Sequence, residues 1–368
     1  MVRTRILFTV AALISPLAIS GPVAARQASI GSSTAPQNCE PLAMGQGQRV
    51  EYGGERYTTR LGGSTFSYVV PPAGFDPATA PQEELAAFNY PARPEHSSPK
   101  LEKWLKEFGN PHLRAPRFCL SKVTTDAYKP GPTAGTSSNW AGAELNAAGG
   151  EPFNSVNGSF TQTGYVSLCP DPAYSASWVG LGGVNFIDNY QRLIQAGTIT
   201  NGSDQNYFFY EYLEEDTQGN LVAGPPGALL DTTDLPNPGD TILSSVWVDN
   251  SGNMYFDDYD NTTGQSDIPA TIAGSQFYDG STAEFIDERP FLSTGLPNLR
   301  AWDHGAVLWS NDYADYGSTY PETEVDVGAS PYTQGLTMQD SSGNDLASYD
   351  AGGPSGIGPF ADDWLKCS

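Results

Sequence analysis

From residue 139 onward, apolar residues alternate with polar ones in short runs that are separated by Gly, Asn, Asp and Pro. Runs of this length and period are typical of strands with one buried face. The clearest runs lie at 207–213, 241–249, 254–260 and 305–310. The stretch 248–256 predicts a hairpin that turns around Ser251 and Gly252. Many short strands over about 230 residues, without a long helical period, predict an all-β domain, either a sandwich or a barrel.

The first part of the chain has a different pattern. In the stretch 97–111, Ser98 can cap a helix, and Gly109 and Pro111 can end it. Between them, apolar residues fall at the spacing of one helical face, namely Leu101, Trp104, Leu105 and Phe108. This stretch predicts one amphipathic helix. The stretch 127–138, rich in Pro, Gly, Ser and Thr, predicts a linker.

The beginning of the chain has the pattern of an export signal. Arg3 and Arg5 precede a short apolar stretch, 6–19, and small residues at 23–25 offer a cleavage site. The apolar stretch is too short to span a bilayer, and no later stretch approaches about 20 apolar residues. We therefore predict a signal peptide at 1–25 and a secreted, soluble protein without a membrane partner.

The cysteine content fits an exported protein. The four cysteines are Cys39, Cys119, Cys169 and Cys367. An even number in an oxidising compartment predicts two disulfides, and three connectivities are open. Because no CxxC motif occurs, a zinc site is not expected.

Charge divides the chain into two regions. Residues 1–130 hold 14 of the 18 Lys and Arg, whereas residues 131–368 hold 32 of the 42 Asp and Glu. So acidic a domain repels nucleic acid, which we exclude as a partner. We predict a basic prosegment at 26–130 ahead of an acidic domain at 131–368, with a contact that acidic pH loosens. The alternative is a simple accessory subdomain.

Several common catalytic motifs are absent from the sequence. It contains three His, of which only His304 lies in the acidic domain, and it lacks the GxSxG, HExxH and GxxxxGK[ST] motifs. A Ser-His-Asp triad, a zinc hydrolase site and a phosphate-binding loop are therefore not predicted, and His304 is expected in a turn or on the surface. Carboxylates and amides remain as candidate groups. We predict neither a metal nor a cofactor.

Seven short motifs follow one another along the acidic domain. They are SSNWAGAEL (137–145), WVGLGG (178–183), RLIQAG (192–197), FYEYLEE (209–215), PGDTILSSVWV (238–248), NTTGQ (261–265) and AEFIDERP (283–290). In this order they resemble the motifs of the glutamic peptidases, the eqolisins, over about 150 residues. Each motif alone is weak, whereas the ordered set is fairly specific.

The resemblance implies both a fold and a function. The family fold is an antiparallel β-sandwich of the concanavalin A-like or jelly-roll kind, and its members are acid peptidases with a removable basic prosegment. The matching motifs place the catalytic roles on Gln195 and Glu288. The implied substrate-binding residues are Trp140, Trp178, Tyr210, Glu211 and Glu284. The implied partners are a protein or peptide substrate and the chain's own prosegment as an intramolecular inhibitor, and we expect a monomer.

The chain departs from the family pattern at two places. Gly182 replaces the family's aspartate in the second motif, and Asp188 is a candidate substitute. The spacing from Trp178 to Gln195 is longer than in the family, so Gln191 is the alternative catalytic amide.

The resemblance also accounts for the acidic residues of the strand at 283–288. Alternation puts Glu284, Ile286 and Glu288 on one face, which the resemblance turns toward the cleft. Arg289 is expected on the opposite side, paired with Asp287.

The two implied catalytic residues suit proteolysis in acid. A Glu with a pKa of about 4.3 is a competent general base where His is fully protonated. Glu288 would take a proton from water and return it to the leaving nitrogen. Gln195 would orient the water and stabilise the oxyanion, which is worth about 3 kcal/mol. Pepstatin is not expected to inhibit such an endopeptidase, because no Asp dyad takes part.

Two alternatives belong to other functional classes. A concanavalin-like glycoside hydrolase would use paired carboxylates about 5–9 Å apart. Glu284 and Glu288 lie four residues apart on one strand, about 13 Å, and Ile286 holds the middle position. A non-catalytic lectin-like module is the other alternative, but it gains nothing from a separable basic prosegment.

Overall fold

Strands dominate the structure, as the alternating pattern predicts. The computed structural model describes residues 39–98, 100–110, 113–147, 151–200, 205–274, 276–303, 305–316, 323–328, 330–351 and 360–367. The predicted signal peptide and His304 lie outside the described residues. All the described residues belong to one unit, and the predicted boundary after residue 130 stays a prediction. None of the helices in the described ranges has the length and apolar character needed to cross a bilayer.

The described chain is nearly all-β with few helices. The first strands are β1 Cys39–Pro41, β2 Gln48–Arg49, β3 Glu55–Leu61, β4 Ser64–Val70, β5 Leu113–Arg114 and β6 Phe118–Ser121. The next are β7 Trp140–Asn146, β8 Phe153–Thr161, β9 Tyr165–Val166, β10 Ala173–Tyr174, β11 Ala176–Gly182, β12 Tyr190–Thr200, β13 Asn206–Asp216, β14 Leu221–Ala223 and β15 Leu229–Asp231. The last are β16 Thr241–Val248, β17 Met254–Asp260, β18 Gln265–Asp267, β19 Ala270–Ile272, β20 Thr282–Glu288, β21 Asn298–Leu299, β22 Ala301–Trp302, β23 Ala306–Tyr316, β24 Thr323–Asp326, β25 Thr333–Gln339, β26 Asp345–Asp350 and β27 Phe360–Trp364.

Most strands belong to two antiparallel ladders. The first ladder has the order β1-β6-β15-β13-β12-β11-β20-β7-β25. The second has the order β26-β27-β23-β8-β16-β17-β19-β4-β3-β2. Strand β25 pairs with both β7 and β26 and so joins the ladders. The predicted hairpin is the β16–β17 pair, closed by Asp249 and Asn253.

The main core contains apolar residues of both ladders. Val179 and Ile194 of the first ladder share one cluster with Val156 and Val246 of the second. These residues alternate with others that face away, as the period of two requires. The central strands are therefore fixed in register, because a slip of one residue would turn each apolar side chain out of the core.

The helices lie in the first part of the chain. Helix α1 spans Gln82–Ala87 and helix α2 spans Lys100–Phe108, and a 3₁₀ turn lies at Glu51–Gly53. In α2 the buried stripe is Trp104, Glu107 and Phe108, whereas Leu105 is 37% exposed. The predicted apolar face is therefore rotated, and a carboxyl replaces leucine in the contact.

The two disulfides join Cys39 to Cys119 and Cys169 to Cys367. Of the three connectivities open from the sequence, this one closes each half of the chain on itself. No covalent bond other than the main chain therefore ties residues 39–119 to the rest of the described chain.

Candidate active site

Gln195 lies in the middle of the first ladder. Strand β12 runs between β11 and β13, where Gln195 stands opposite Gly180 and Glu211. Its side chain is fully buried, and Nε2 donates a hydrogen bond to the Thr125 hydroxyl. Its Oε1 atom has no hydrogen-bond partner among the described residues. One amide acceptor is therefore left over for a water or substrate donor.

Glu288 ends strand β20 and is also fully buried. Its Oε2 accepts a hydrogen bond from Trp178 Nε1 at 2.8 Å. Its Oε1 accepts from the backbone N–H of Asp126 at 3.0 Å and from Asn139 Nδ2 at 3.4 Å. Burial raises the pKa of Glu288 well above its ordinary value, and these hydrogen bonds act in the opposite direction.

One segment of the chain crosses both residues. We call residues 123–129 the cleft segment. Within it Thr125 contacts Gln195 and the next residue, Asp126, contacts Glu288. Gln195 and Glu288 thus contact two successive residues of the same segment.

Glu211 holds the same segment from the neighbouring strand. Its carboxylate accepts hydrogen bonds from the Thr124 hydroxyl at 2.6 Å, from the Thr125 backbone N–H at 2.8 Å and from the Thr125 hydroxyl. Burial raises the pKa of Glu211 to about 7, although these donors lower it. Glu211 therefore binds the main chain of the segment as well as its side chains.

Two tryptophans form the floor beside Glu288. The rings of Trp140 and Trp178 meet edge to face, with centroids 5.0 Å apart. Trp140 Nε1 donates to the Asp126 carbonyl oxygen at 3.1 Å. Both rings also pack in a second apolar cluster with Leu193 and Ile286. They therefore serve the packing of the sheet and the contacts of the site together.

Tyr210 lies away from the site, whereas Glu284 stands opposite Gly180, which also stands opposite Gln195. The Tyr210 ring lies in the main core, with ring centroids 5.7 Å from Phe118 and 5.5 Å from Phe256. Glu284 shares a strand face with Glu288 but lies about 13 Å along the strand. Burial raises the pKa of Glu284 well above its ordinary value, and the carboxyls of Glu144 and Asp279 add to this rise.

The predicted pair of Arg289 and Asp287 is wrong. Arg289 donates instead to the Ser138 carbonyl oxygen at 2.8 Å. Asp287 is fully buried and accepts hydrogen bonds from Ser177 and from Trp309 Nε1, the latter at 3.1 Å. Both side chains are buried, Arg289 at 6% exposure, and each is held by its own partners, a backbone carbonyl for Arg289 and a hydroxyl and an indole for Asp287.

A large cavity adjoins the cleft segment. Its volume is about 810 Å³, and its lining includes Gln191, Glu215, Phe186, Phe291 and Leu296. Among the described residues, no group of three or more His, Cys, Asp or Glu is arranged to hold a metal ion. The cavity therefore borders the cleft segment through Thr124 and Asp126, while Gln195, Glu288 and the two tryptophans are buried behind that segment.

A profile of the peptidase A4 family matches residues 138–348, more than half of the chain. The chain belongs to the peptidase A4 family. It is a glutamic-type peptidase, a hydrolase.

Several solved structures are similar to this peptidase. One is scytalidoglutamic peptidase with a peptide-based transition-state analogue, at 18% identity over 62% of this chain and 98% of that one, with a TM-score of 0.46. A second is SCP-B, an eqolisin in complex with the tripeptide Ala-Ile-His, at 18% identity, the same coverage and a TM-score of 0.45. A third is aspergilloglutamic peptidase from Aspergillus niger, at 18% identity over 52% of this chain and 99% of that one, with a TM-score of 0.38. No curated protein matches the sequence.

The two departures from the family pattern have structural counterparts in this peptidase. Gln191 donates its amide hydrogens to the carbonyl oxygens of Gly183 and Val184, each at 3.0 Å, and so anchors a loop. Gly182 has a φ of 86°, and a Cβ there would lie 2.8 Å from Asp279 Cβ. A buried carboxyl from a distant part of the chain, Asp279, thus lies beside Gly182, whereas Asp188 is exposed.

Sequence reasoning missed several residues that contact the pair in this peptidase. They are Thr124, Thr125 and Asp126 of the cleft segment, and Asn139. Asn139 belongs to the first of the seven motifs, so its position was a usable signal. The cleft segment carries no such signal, because it borders a Pro- and Gly-rich stretch that reads as a connector.

Proposed function

We propose that this peptidase is an acid endopeptidase in which Glu288 and Gln195 act as a dyad on a peptide bond. The observation that carries the proposal is their contact with two successive residues of one chain, Thr125 and Asp126. A peptide substrate in the same path would place its scissile bond between the amide and the carboxylate. Gln195 is preferred to Gln191, whose amide hydrogens are engaged by loop carbonyls.

The proposed mechanism needs one water and no metal or cofactor. Glu288 removes a proton from the water as its oxygen attacks the peptide carbonyl carbon. Gln195 Nε2 donates to the oxygen that becomes negative, a contribution of about 3 kcal/mol. Glu288 then gives the proton to the leaving nitrogen, and the carbon–nitrogen bond breaks. Trp178 and Asn139 donate to the carboxylate and so favour the form that accepts the proton.

The working pH follows from the state of Glu288. While the cleft segment covers it, burial holds the pKa of Glu288 well above its ordinary value of 4.5. When the segment leaves, water reaches the carboxyl, and its pKa falls toward that value. A general base of this kind works in moderately acidic solution, where imidazole is protonated.

We propose that the prosegment, residues 26–130, inhibits the enzyme through the cleft segment. The Asp126 backbone N–H lies where a water would bind Glu288. Gln195 donates to the Thr125 hydroxyl and not to the Thr125 carbonyl oxygen, which lies 2.8 Å from the Thr124 hydroxyl oxygen. The segment thus fills the site without presenting its carbonyl to the amide, which explains how an intact chain can resist hydrolysis of its own bond.

The other predicted site residues take different parts in the proposal. Glu211 binds substrate backbone N–H groups as it binds that of Thr125, and Trp140 binds carbonyl oxygens as it binds that of Asp126. Trp178 acts on Glu288. The predicted substrate contacts of Tyr210 and Glu284 rest on the family motifs alone.

The remaining proposals concern the fold and the setting of the enzyme. We infer that the two ladders are the layers of a concanavalin A-like sandwich, since residues of both share one core cluster. We also propose a secreted monomer that is insensitive to pepstatin. Two disulfides and an N-terminal pattern typical of export support secretion.

The test is digestion of denatured casein by the purified full chain at about pH 3.5, with and without pepstatin. We expect cleavage of the chain between the N-terminal segment and the acidic domain, then proteolysis that pepstatin leaves unchanged. A chain that hydrolyses a β-glucan and leaves casein intact would instead support the glycoside hydrolase. Inhibition by pepstatin would contradict the dyad.

A further inference from the structure

The N-terminal lobe, defined as residues 39–121, contributes strands to both ladders. Strand β6 lies between β1 and β15 in the first ladder, and β4 lies between β3 and β19 in the second. Strand β5 pairs in parallel with β18. The lobe therefore continues the hydrogen bonding of the acidic domain on both sides, and its removal would leave β15 and β19 with open edges.

Aromatic side chains of the lobe are part of the main core. Phe118 is 6% exposed, and its ring centroid lies 5.2 Å from Phe66 within the lobe and 5.7 Å from Tyr210 beyond it. Tyr210 in turn contacts Phe256 of the second ladder, 5.5 Å between centroids. Loss of the lobe would therefore uncover apolar rings at the centre of the molecule.

The main chains of the two parts approach each other as closely as glycine allows. A Cβ on Gly227 would lie 2.0 Å from the Ser121 carbonyl oxygen, and one on Gly62 would lie 2.2 Å from the Gly224 carbonyl carbon. The Ser121 N–H donates to the Ala228 carbonyl oxygen at 2.9 Å. Contact of this kind occurs inside a single fold rather than beneath a detachable cover.

Ionic contacts between the lobe and the acidic domain lie outside this core. Arg114 pairs with Asp234 at 2.6 Å, and Lys100 pairs with Asp315 at 3.3 Å. Burial raises the pKa of Asp234 to about 6, against the effect of Arg114, so this pair weakens in acid. Backbone ladders and ring contacts do not titrate in this range.

A buried carboxyl of the lobe acts in the opposite direction. Glu107 of α2 is 4% exposed, and burial raises its pKa well above its ordinary value. The groups that act on its charge are Lys103 and Lys106 on the same helix, Asp257 on β17, and Tyr313 and Asp315 on β23. Protonation of Glu107 in acid therefore removes a buried charge and stabilises the packing of α2, while the ion pairs weaken.

We propose that the lobe stays bound after the chain is cut, so that the active enzyme consists of two chains held by non-covalent contacts. Only the cleft segment and the adjoining linker move away from the dyad. The lobe is thus a permanent partner of the acidic domain. This inference rests on the proposed function in one respect, the natural cleavage of the chain. Cleavage at an engineered site tests the retention of the lobe separately.

The experiment uses the full chain in a Glu288→Gln background, which prevents self-digestion. The recognition sequence of a site-specific protease is inserted between Thr133 and Ala134, in an exposed stretch. After the cut, size-exclusion chromatography with light scattering gives the mass at neutral pH and at about pH 3.5. Because Cys39–Cys119 lies within the lobe, no disulfide holds the fragments together.

We expect one species that contains both fragments at both pH values, and two bands only on a denaturing gel. A lobe that elutes alone at either pH, or aggregation after the cut, overturns the proposal. Failure of the wild-type chain to cut itself in acid would count against the proposed function, while the engineered cut still decides retention.

A pair of variants locates the contact. Phe118→Ala should weaken the association of the cut fragments on the order of 100-fold in Kd, because it removes a buried ring from the shared core. Tyr52→Ala is the matched control within the lobe, since Tyr52 is 48% exposed, and it should leave Kd unchanged. If Phe118→Ala fails to fold, Phe118→Leu should show a smaller weakening. Equal Kd values for the Phe118 and Tyr52 variants would contradict the assigned contact.

Discussion

Replacing Trp178 by Phe isolates one hydrogen bond to the proposed catalytic carboxylate. The indole N–H donates to Glu288 Oε2 at 2.8 Å, while the ring packs edge to face on Trp140 with a centroid distance of 5.0 Å. Phenylalanine keeps an aromatic ring in this contact and removes the donor. Because the lost bond favours the ionised carboxyl, the pKa of Glu288 should rise.

The size of the effect follows from the charge on the acceptor. A hydrogen bond to a charged group is worth about 1.5–3 kcal/mol. On the acid side of the pH profile, where the fraction of ionised Glu288 limits the rate, kcat/KM should therefore fall by about 10- to 150-fold. The acid limb should move to higher pH, and the rate should recover as pH rises.

The assay is kcat/KM against pH for the activated enzyme, measured with a peptide substrate. Trp140→Phe is the matched control, since the indole N–H of Trp140 bonds the Asp126 carbonyl oxygen and not Glu288. It should leave the position of the acid limb unchanged. An acid limb that stays in place in Trp178→Phe, or moves to lower pH, would refute the role given to Glu288.

Three further predictions concern buried groups. Glu107→Gln should raise the free energy of unfolding by about 1–3 kcal/mol at neutral pH and leave it unchanged in acid, because burial raises the pKa of Glu107 and in acid the glutamate is already neutral. Urea denaturation at the two pH values measures this difference. An equal gain in the exposed control Glu102→Gln would contradict it. Asp362→Asn should increase Tm more at neutral pH than at acidic pH, because burial and the neighbouring Asp287 raise the pKa of Asp362 well above its ordinary value, and asparagine is neutral without taking up a proton; a pH-independent change in Tm would count against a carboxyl pair. Thr125→Val should shorten the lag before activity in acid by about tenfold, since the hydroxyl bonds to Gln195 and Glu211 are lost; an unchanged lag would mean that these bonds do not hold the cleft segment.

The strands were predictable from the sequence for a clear reason, and the same pattern led to the two proposed catalytic residues. Alternation marks strands wherever one face is apolar, and Glu288 follows Ile286 on such a face. The ordered motifs, rather than the alternation, indicated which carboxyl of that strand to choose. The nearly all-β character and the peptidase family were both predicted correctly from the sequence.

Other features depend on contacts between distant residues. The cleft segment meets Glu211 and Glu288 across 86 and 162 residues, and local pattern carries no information on such pairs. The same holds for the partner of Asp287, because Asp362 of strand β27 hydrogen-bonds to it directly and shares the Trp309 N–H with it. In α2, hydrophobicity selected Leu105 for the buried face, whereas the groove accepts Glu107. The surface that α2 packs against, rather than the hydrophobic pattern of the helix, therefore determines which of its side chains are buried.

The most direct test of the central claim is the activity of Glu288→Gln and Gln195→Ala after processing. Each variant is cut in trans by tagged wild-type enzyme, which is then removed, and kcat and KM are measured on one peptide in acid. We expect Glu288→Gln to lose about 10⁴-fold in kcat and Gln195→Ala about 10²- to 10³-fold, with KM little changed in both. A kcat within tenfold of wild type for either variant would contradict the dyad.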